Sequence, residues 1–280
     1  VMEHKAKNLL LAALPPADLK FLVPHFRMIQ LERDAVLLRS GDPVDRIYFP
    51  LSGLIAFIMD MPNGQTVATA IVGNEGAAGV LSTLGPVRSP MTAVVRVAGL
   101  ALQISPTRFQ AILGRSNALN GAVQTHARAL MAQFQHVAAC NALHSVEERL
   151  ARWLLHVHDR VEGDVLPLTQ ETLAEFLGVR RTTVTQVISK LREQGAVRSN
   201  RRSWIEIDRP RLEATACECY QLMRRRISRI VLPEDMRSAG HARSADHPRA
   251  QAQASLFAKT DEMHPRPRAH GAVGHRSKSH

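Results

Sequence analysis

Cysteine is scarce in this chain, and its distribution matters more than its number. Three of the 280 residues are cysteine and none precedes Cys140, so a disulfide framework is excluded. Between Met28 and Thr125 there is neither cysteine nor histidine. That gap excludes a histidine-ligated metal centre from the stretch, and with it a Ser-His-Asp triad confined there. No apolar run reaches the length of about 18 residues that a membrane span requires. Pro15, Pro16 and several charges interrupt the apolar residues near the N-terminus, unlike a secretory leader. The glycine cluster Gly73–Gly79 is too loosely spaced for a phosphate-cradling loop and lacks the lysine of one. No nucleophile–base constellation is present either. The chain is therefore expected to be cytoplasmic, free of membrane contact, and not an enzyme.

What the chain has is positive charge in a particular place. The formal net charge is +11 and the isoelectric point about 10.5, which suits a polyanionic partner. Residues 178–211 carry nine Lys/Arg against three acids. The centre of this region is Leu168–Val197, LTQETLAEFLGVRRTTVTQVISKLREQGAV. Two short helical periods fit its apolar and small positions (Leu173, Ala174, Leu177, Val179, Val184, Val187, Ile188, Leu191), and they break at Gly178, where a chain leaving a helix needs positive φ. This spacing predicts a helix-turn-helix whose second helix lies in the major groove of DNA. Its exposed positions would be Arg180, Arg181, Thr182, Thr185, Gln186, Ser189 and Lys190, none of them acidic. A solvated charged face is the alternative for such a run of polar residues; the buried spacing and the turn glycine favour DNA.

In chain order, Leu9, Leu10, Leu14, Leu19, Leu22 and Phe26 fit short N-terminal helices. Residues 29–105 alternate short β-prone runs with glycine: 35–39, 46–50, 54–59, 65–72, 93–97 and 100–104, with Asn63–Gly64 as a hairpin signal. Many short strands predict a small barrel or jelly roll. Gly114–Leu143 is expected to be one long helix. Val123, Ala127, Leu130, Phe134, Val137 and Asn141 recur at spacings of 4 and 3, a heptad seam for a parallel dimer; a helix lying on its own barrel would show the same pattern. His126 and His136 fall off the seam and read as surface residues. His144–Ser145 is the expected hinge, and Val146–Arg160 a new helix with Leu150, Trp153, Leu154 and Val157 inward. Thr169 is an N-cap candidate. Ala196–Ser199 and Ser203–Ile207 form a hairpin, or wing, whose tip carries Arg201 and Arg202. Asp208 caps a last helix with Leu212, Ala216, Cys219, Tyr220, Met223 and Ile227 on its apolar stripe and Arg224, Arg225, Arg226 and Arg229 near its end. Cys217 and Cys219, two apart on a helix, point in different directions, so neither a metal site nor a cofactor is expected. Residues 233–280 are poor in large apolar side chains and hold six histidines without ligand spacing; they read as a disordered tail.

Barrel, long helix, hinge, helix-turn-helix and wing, in that order over roughly residues 10–230, resemble the Crp–Fnr superfamily of bacterial transcription regulators. Gly41–Gly53 (GDPVDRIYFPLSG), Asn63–Val67 (NGQTV) and Thr169–Leu191 carry the likeness. The resemblance implies an α+β chain: an N-terminal cyclic-nucleotide-binding-like β-roll with its helices (1–113), a long dimerisation helix (114–143), a C-terminal winged helix-turn-helix (144–232) and the basic tail (233–280). It implies a homodimer that binds double-stranded DNA and meets RNA polymerase. It also implies that sensing in the first domain biases DNA binding by the second. On this reading Arg181, Thr182, Thr185 and Gln186 face bases, while Thr169, Arg180, Ser189, Lys190, Arg201 and Arg202 face phosphates.

Three departures from the family pattern follow. Arg181 stands at the first arginine of the family's recognition helix, but Thr182 replaces the glutamate and Gln186 the second arginine, so the half-site should differ from the classical one. In the effector region the Gly-Glu phrase is replaced by Ala78–Gly79 or displaced to Glu75, while Arg88–Ser89 survives, followed by Pro90. Glu75, Gly76, Arg88, Ser89 and Phe134 are the candidate pocket, and its changes point away from cyclic AMP, leaving the effector unknown. The absence of an N-terminal cysteine cluster removes the family's iron–sulfur form of sensing. A second reading is a small-molecule sensor or scaffold that acts through protein partners and uses the helix-turn-helix for contact.

Overall fold

The computed structural model describes residues 7–85, 88–200 and 204–231. The wing tip with Arg201 and Arg202, and the 233–280 tail, lie outside the described residues. Seven strands form the N-terminal β-roll: β1 (Arg27–Leu31), β2 (Val36–Leu38), β3 (Ile47–Pro50), β4 (Leu54–Asp60), β5 (Thr66–Val72), β6 (Thr92–Val97) and β7 (Gly99–Ile104). They make two antiparallel sheets, β1-β7-β3 and β2-β6-β4-β5. The Asn63–Gly64 turn joins β4 to β5, with Gly64 at φ +79°. β1 was not among the expected strands: four of its five side chains stay wholly or partly exposed, so its apolar signal is weak. Two short helices, α1 (Leu9–Ala12) and α2 (Pro16–Leu22), precede it. Leu10, Leu14, Leu19, Leu22 and Phe26 are buried there as expected, whereas Leu9 is exposed.

The long helix is later and shorter than expected. α3 (Pro106–Leu113) comes first, then Gly114–Ser116, and α4 runs from Asn117 to Leu143. The Ser116 hydroxyl accepts from the Leu119 amide at 2.9 Å and stops the helix from extending backwards. Leu119, Val123, His126, Leu130, Gln133, Val137 and Cys140 are all buried, at alternating spacings of 4 and 3. Val123, Leu130 and Val137 join three different apolar clusters of their own chain, Ala127 and Phe134 are half-buried, and Asn141 is exposed. The stripe expected as a dimer seam is met within the chain: the β-roll lies on Val123 and Leu130, Cys140 packs with Cys217 and Cys219, and Phe134, Val137 and Asn141 line a cavity beside β4 and β5. A heptad marks the apolar face of a helix whatever covers it, so period alone could not separate the two cases. The His126 expectation is also corrected. His126 is buried, and its Nε2 lies 2.9 Å from the Ala77 carbonyl. Gln133 accepts from the Ile71 amide at 3.2 Å, satisfying a backbone donor on β5, the outer strand of its sheet.

His144 ends α4 and Ser145 opens α5 (Val146–His158) with a full capping box to Glu148. Leu150, Trp153, Leu154 and Val157 are inward. β8 (Val165–Leu166), α6 (Gln170–Leu177), α7 (Arg181–Glu193), β9 (Val197–Asn200), β10 (Trp204–Ile207), α8 (Arg209–Thr215) and α9 (Cys219–Val231) complete the C-terminal part, its sheet ordered β8-β10-β9. One apolar cluster continues from Leu54, Ala56, Ala68 and Ile71 of the β-roll into Trp153, Leu154, Phe176 and Ile188. The winged unit therefore packs on the β-roll through α6 and β5. Beside this contact Arg96 of β6 pairs with Glu175 of α6 and, at 2.8 Å, with Asp34. The expected single last helix is two: Ala216 leaves α8 in extended conformation, and α9 starts only at Cys219.

Candidate functional site

The helix-turn-helix is built on a fixed scaffold. Thr169 caps α6, its hydroxyl accepting from the Thr172 amide at 3.1 Å. Gly178 takes φ +63°, and its neighbour Val179 returns an amide to the Ala174 carbonyl at 3.1 Å. Leu173, Phe176, Leu177, Val184, Ile188 and Leu191 are buried between the two helices and α5. Ser, Thr, Arg and Gln at the remaining positions of α7 must then face outward. Arg181, Thr182, Thr185 and Gln186 are all exposed and fall on one face of the helix. Arg180 is exposed at the N-cap, Ser189 half-buried and Lys190 exposed.

Some of these groups are held before any ligand arrives. Arg181 pairs with Glu171 of α6 at 3.0 Å, both well exposed. Thr185 donates to Gln170 at 2.8 Å or to the Arg181 carbonyl at 3.1 Å. Lys190 pairs with Glu147 of α5, which also accepts from Gln194 at 3.0 Å. Thr182 and Gln186 make no side-chain hydrogen bond among the described residues. The face thus combines one restrained cation, one restrained hydroxyl and two free hydrogen-bonding groups. Beyond the helix, Arg224 lies by Asp159 and Tyr220, and Arg226 donates to Gln135 of α4 at 3.0 Å. Both are engaged within the chain rather than facing outward together with α7.

Of the five candidate pocket residues, Ser89 and Phe134 line two neighbouring cavities, while Glu75, Gly76 and Arg88 are engaged elsewhere. Glu75 accepts from Arg160, just past the end of α5, at 2.7 Å and from the Gly73 amide. Gly76 backs onto α4 so closely that a Cβ there would lie 2.4 Å from the His126 ring. Arg88 points to the Gly41 carbonyl at 2.7 Å, and Ser89 is buried with its hydroxyl on the Met91 carbonyl at 2.6 Å. Ser89 lines a space of about 10 Å³ with Leu38, Phe57, Leu81 and Leu130, barely room for one water. Phe134 lines the neighbouring, mostly apolar cavity of about 420 Å³ between β4, β5 and α4, with Met59, Val67 and Val137, which shares Pro90 and Met91 with the space beside Ser89.

A fourth grouping was missed. Cys140 and His144 at the end of α4 meet Cys217 and Cys219 at the α8–α9 junction. The three cysteines form a small buried cluster of their own. The Cys217 hydrogen bond, with help from the Arg152 charge, holds the Cys140 thiol well below its ordinary value, while that same bond and burial push Cys217 up. The expectation that Cys217 and Cys219 diverge assumed an unbroken helix; the chain turns between them instead. The available signal was Cys140-x-x-x-His144, a one-turn spacing on a helix that puts both side chains on one side.

Comparison with known proteins gives two family matches. The cyclic nucleotide-binding domain family matches residues 28–116, and the Crp-like helix-turn-helix domain family matches residues 148–215. A CRP-like cAMP-activated global transcriptional regulator of Mycobacterium tuberculosis is 26% identical over 210 residues, covering 72% of this chain and 93% of the relative. A global nitrogen regulator of Synechococcus elongatus is 26% identical over 175 residues, covering 59% and 78%. Among solved structures, FixK2 of Bradyrhizobium japonicum shares the fold at a TM-score of 0.60 and 16% identity, covering 69% of this chain and 98% of that one. Among the described residues no helix is long and apolar enough to cross a membrane.

Proposed function

Since the chain belongs to the Crp–Fnr superfamily and is a DNA-binding transcription regulator of that type, we propose that it reads its operator with Arg181, Thr182, Thr185 and Gln186 of α7. The observation that carries this reading is the exposed polar face of α7 on a buried helix-turn-helix scaffold. An arginine on a major-groove helix matches the O6 and N7 acceptors of guanine, and glutamine matches adenine. Without the acidic and second basic residues of the classical helix, the half-site keeps one guanine and changes elsewhere. Thr169, Arg180 and Ser189 are assigned to phosphate, where they would position without reading. Lys190 joins them only by leaving Glu147. Arg201 and Arg202 are assigned the same role from sequence alone.

In this reading residues 1–113 are the sensing unit, 114–143 the connecting helix and 144–232 the DNA-binding unit. Two copies bind two half-sites and contact RNA polymerase. Since Val123, Leu130 and Val137 are used within the chain, dimerisation needs another face of α4; Gln124, Arg128, Met131 and Gln135 are exposed on it. The Mycobacterium tuberculosis relative is described as cAMP-activated; the space of about 10 Å³ beside Ser89 speaks against a nucleotide as effector here. The 420 Å³ apolar cavity is the better place for an effector, one less polar than a cyclic nucleotide. A randomised-site selection followed by gel shifts at several salt concentrations tests the operator reading. Recovery of the classical half-site unchanged, or binding with no sequence preference, would refute it.

A further inference from the structure

Four ligand-bearing side chains converge at the hinge. Cys140 and His144 lie one turn apart at the end of α4, and Cys217 and Cys219 flank the turn between α8 and α9. Their three sulfurs and one ring nitrogen all lie within 4.8 Å of one another. The Cys140–Cys217 Sγ separation is 3.5 Å, and Cys219 Sγ lies 3.7 Å from His144 Nδ1. A tetrahedral metal with its usual bond lengths to sulfur and nitrogen has ligand–ligand edges of roughly 3.5–3.8 Å. Those two edges already have that length. All four atoms surround one point, which suits one metal ion; an iron–sulfur cluster would spread its thiolates over several metal atoms.

Two independent observations point to the same occupant. The first is the orientation of His144. Its Nδ1 faces the sulfurs, while Nε2 lies 3.2 Å from the Glu218 carboxylate. A carboxylate on the distal ring nitrogen is the usual way a metal-bound imidazole is fixed in tautomer and orientation. The second is Arg152, which is fully buried against the Trp153 ring, with none of its three guanidinium nitrogens partnered among the described residues. Its charge reaches Cys140 and Cys217. A buried cation without a counter-charge is strongly disfavoured. Three thiolates and a neutral imidazole around a dication carry a net charge of minus one, which supplies the missing counter-charge.

We propose that Cys140, His144, Cys217 and Cys219 form a tetrahedral site for one zinc ion, which staples the end of α4 to the α8–α9 junction of the DNA-binding unit. Thiolate-rich donors select a soft or borderline dication, and four protein ligands leave no open position, so the site is structural rather than catalytic. Metal binding releases the thiol protons to solvent; no oxidant or reductant is needed. Because His144 is also the last residue before Ser145, occupancy fixes the α4–α5 hinge, through which any signal from the β-roll reaches the helix-turn-helix.

The test uses the full-length chain purified without added chelator. Elemental analysis should find about one zinc per chain. After chelation, titration with cobalt(II) should give intense tetrahedral ligand-field bands and a thiolate-to-cobalt charge-transfer band in the near ultraviolet. Cys140→Ser and Cys219→Ser should each lower that band by about a third. Cobalt held by the tail histidines gives no charge-transfer band, so cobalt binding without one overturns the proposal. So does a Cys140–Cys217 disulfide in freshly isolated protein, found by mass spectrometry under alkylating conditions. The wild-type spectrum decides the matter even where a variant fails to fold.

Discussion

Replacing Arg181 by alanine separates DNA reading from folding, because the structure makes the two costs unequal. Its guanidinium has one carboxylate neighbour among the described residues, Glu171 at 3.0 Å, with the two side chains 62% and 60% exposed. An exposed pair of this kind is worth about 0–1 kcal/mol, and no packed side chain depends on it. The folded state should therefore survive with a nearly unchanged urea midpoint. At the operator, losing a bidentate guanine contact costs about 1–3 kcal/mol, or a fall in affinity of about 5- to 150-fold. The loss should fall on one base position: Arg181→Ala should discriminate less there while keeping its preferences elsewhere. Arg180→Ala, at the N-cap of α7, is the contrast. It should weaken all sequences alike and reduce the slope of log K against log salt by about 0.9. The assay is fluorescence anisotropy with the selected operator, single-base variants of it and a scrambled duplex, each at four salt concentrations. If the two variants lost affinity equally on every duplex, the division into base-reading and phosphate-facing residues would be wrong.

Gly178→Ala should destabilise the chain by about 1–2 kcal/mol, the cost of a side chain in left-handed conformation, since φ is +63° and the new Cβ would meet Val67 at 3.2 Å; an unchanged urea midpoint would refute the strain. Ile188→Ala, 3% exposed in the shared core, should cost about 2–5 kcal/mol, read by the same titration. Burial lowers the imidazole of His126 and takes His156 well below its ordinary value. The unfolded chain therefore binds more protons than the native one below the ordinary value of 6.5. Stability should be full above that pH and fall as pH drops through it toward the depressed native values; thermal melts that stay level from pH 7.5 to 5.5 would contradict this. Glu75→Ala removes the only carboxylate on Arg160 among the described salt bridges and, the pair being half-buried, should cost about 1–3 kcal/mol, between the values for exposed and buried pairs, against little change for the exposed Glu171→Ala. Isothermal titration with cyclic AMP should show no binding; micromolar binding would mean that the small space beside Ser89 opens.

The two functional ends of the chain differ in how far they could be read in advance. The recognition face was legible because a helix-turn-helix fixes burial through local spacing: once Leu173, Leu177, Val184, Ile188 and Leu191 are inward, Arg181, Thr182, Thr185 and Gln186 have only the outside left. Most strands of the β-roll were legible for the same local reason, and so were the caps at Thr169 and Asp208 and the break at His144–Ser145. The pocket was not. Glu75, Arg88 and Phe134 form a set only through the family resemblance; in the fold Glu75 pairs with Arg160, Arg88 donates to the Gly41 carbonyl, and Phe134 lines the apolar cavity.

What the sequence determined by itself is whatever depends on neighbours within a few turns: strands, helices, caps, the exposed face of α7, and the exclusion of histidine chemistry from residues 28–125. Only the tertiary structure decided what lies against the apolar stripe of α4, because a β-roll and a second helix satisfy the same period equally well. It alone brought Cys140 and His144 to Cys217 and Cys219, across more than 70 positions of chain, by ending α8 at Ala216 and turning α9 back along α4. That turn is a consequence of packing, and no spacing rule within either helix contains it.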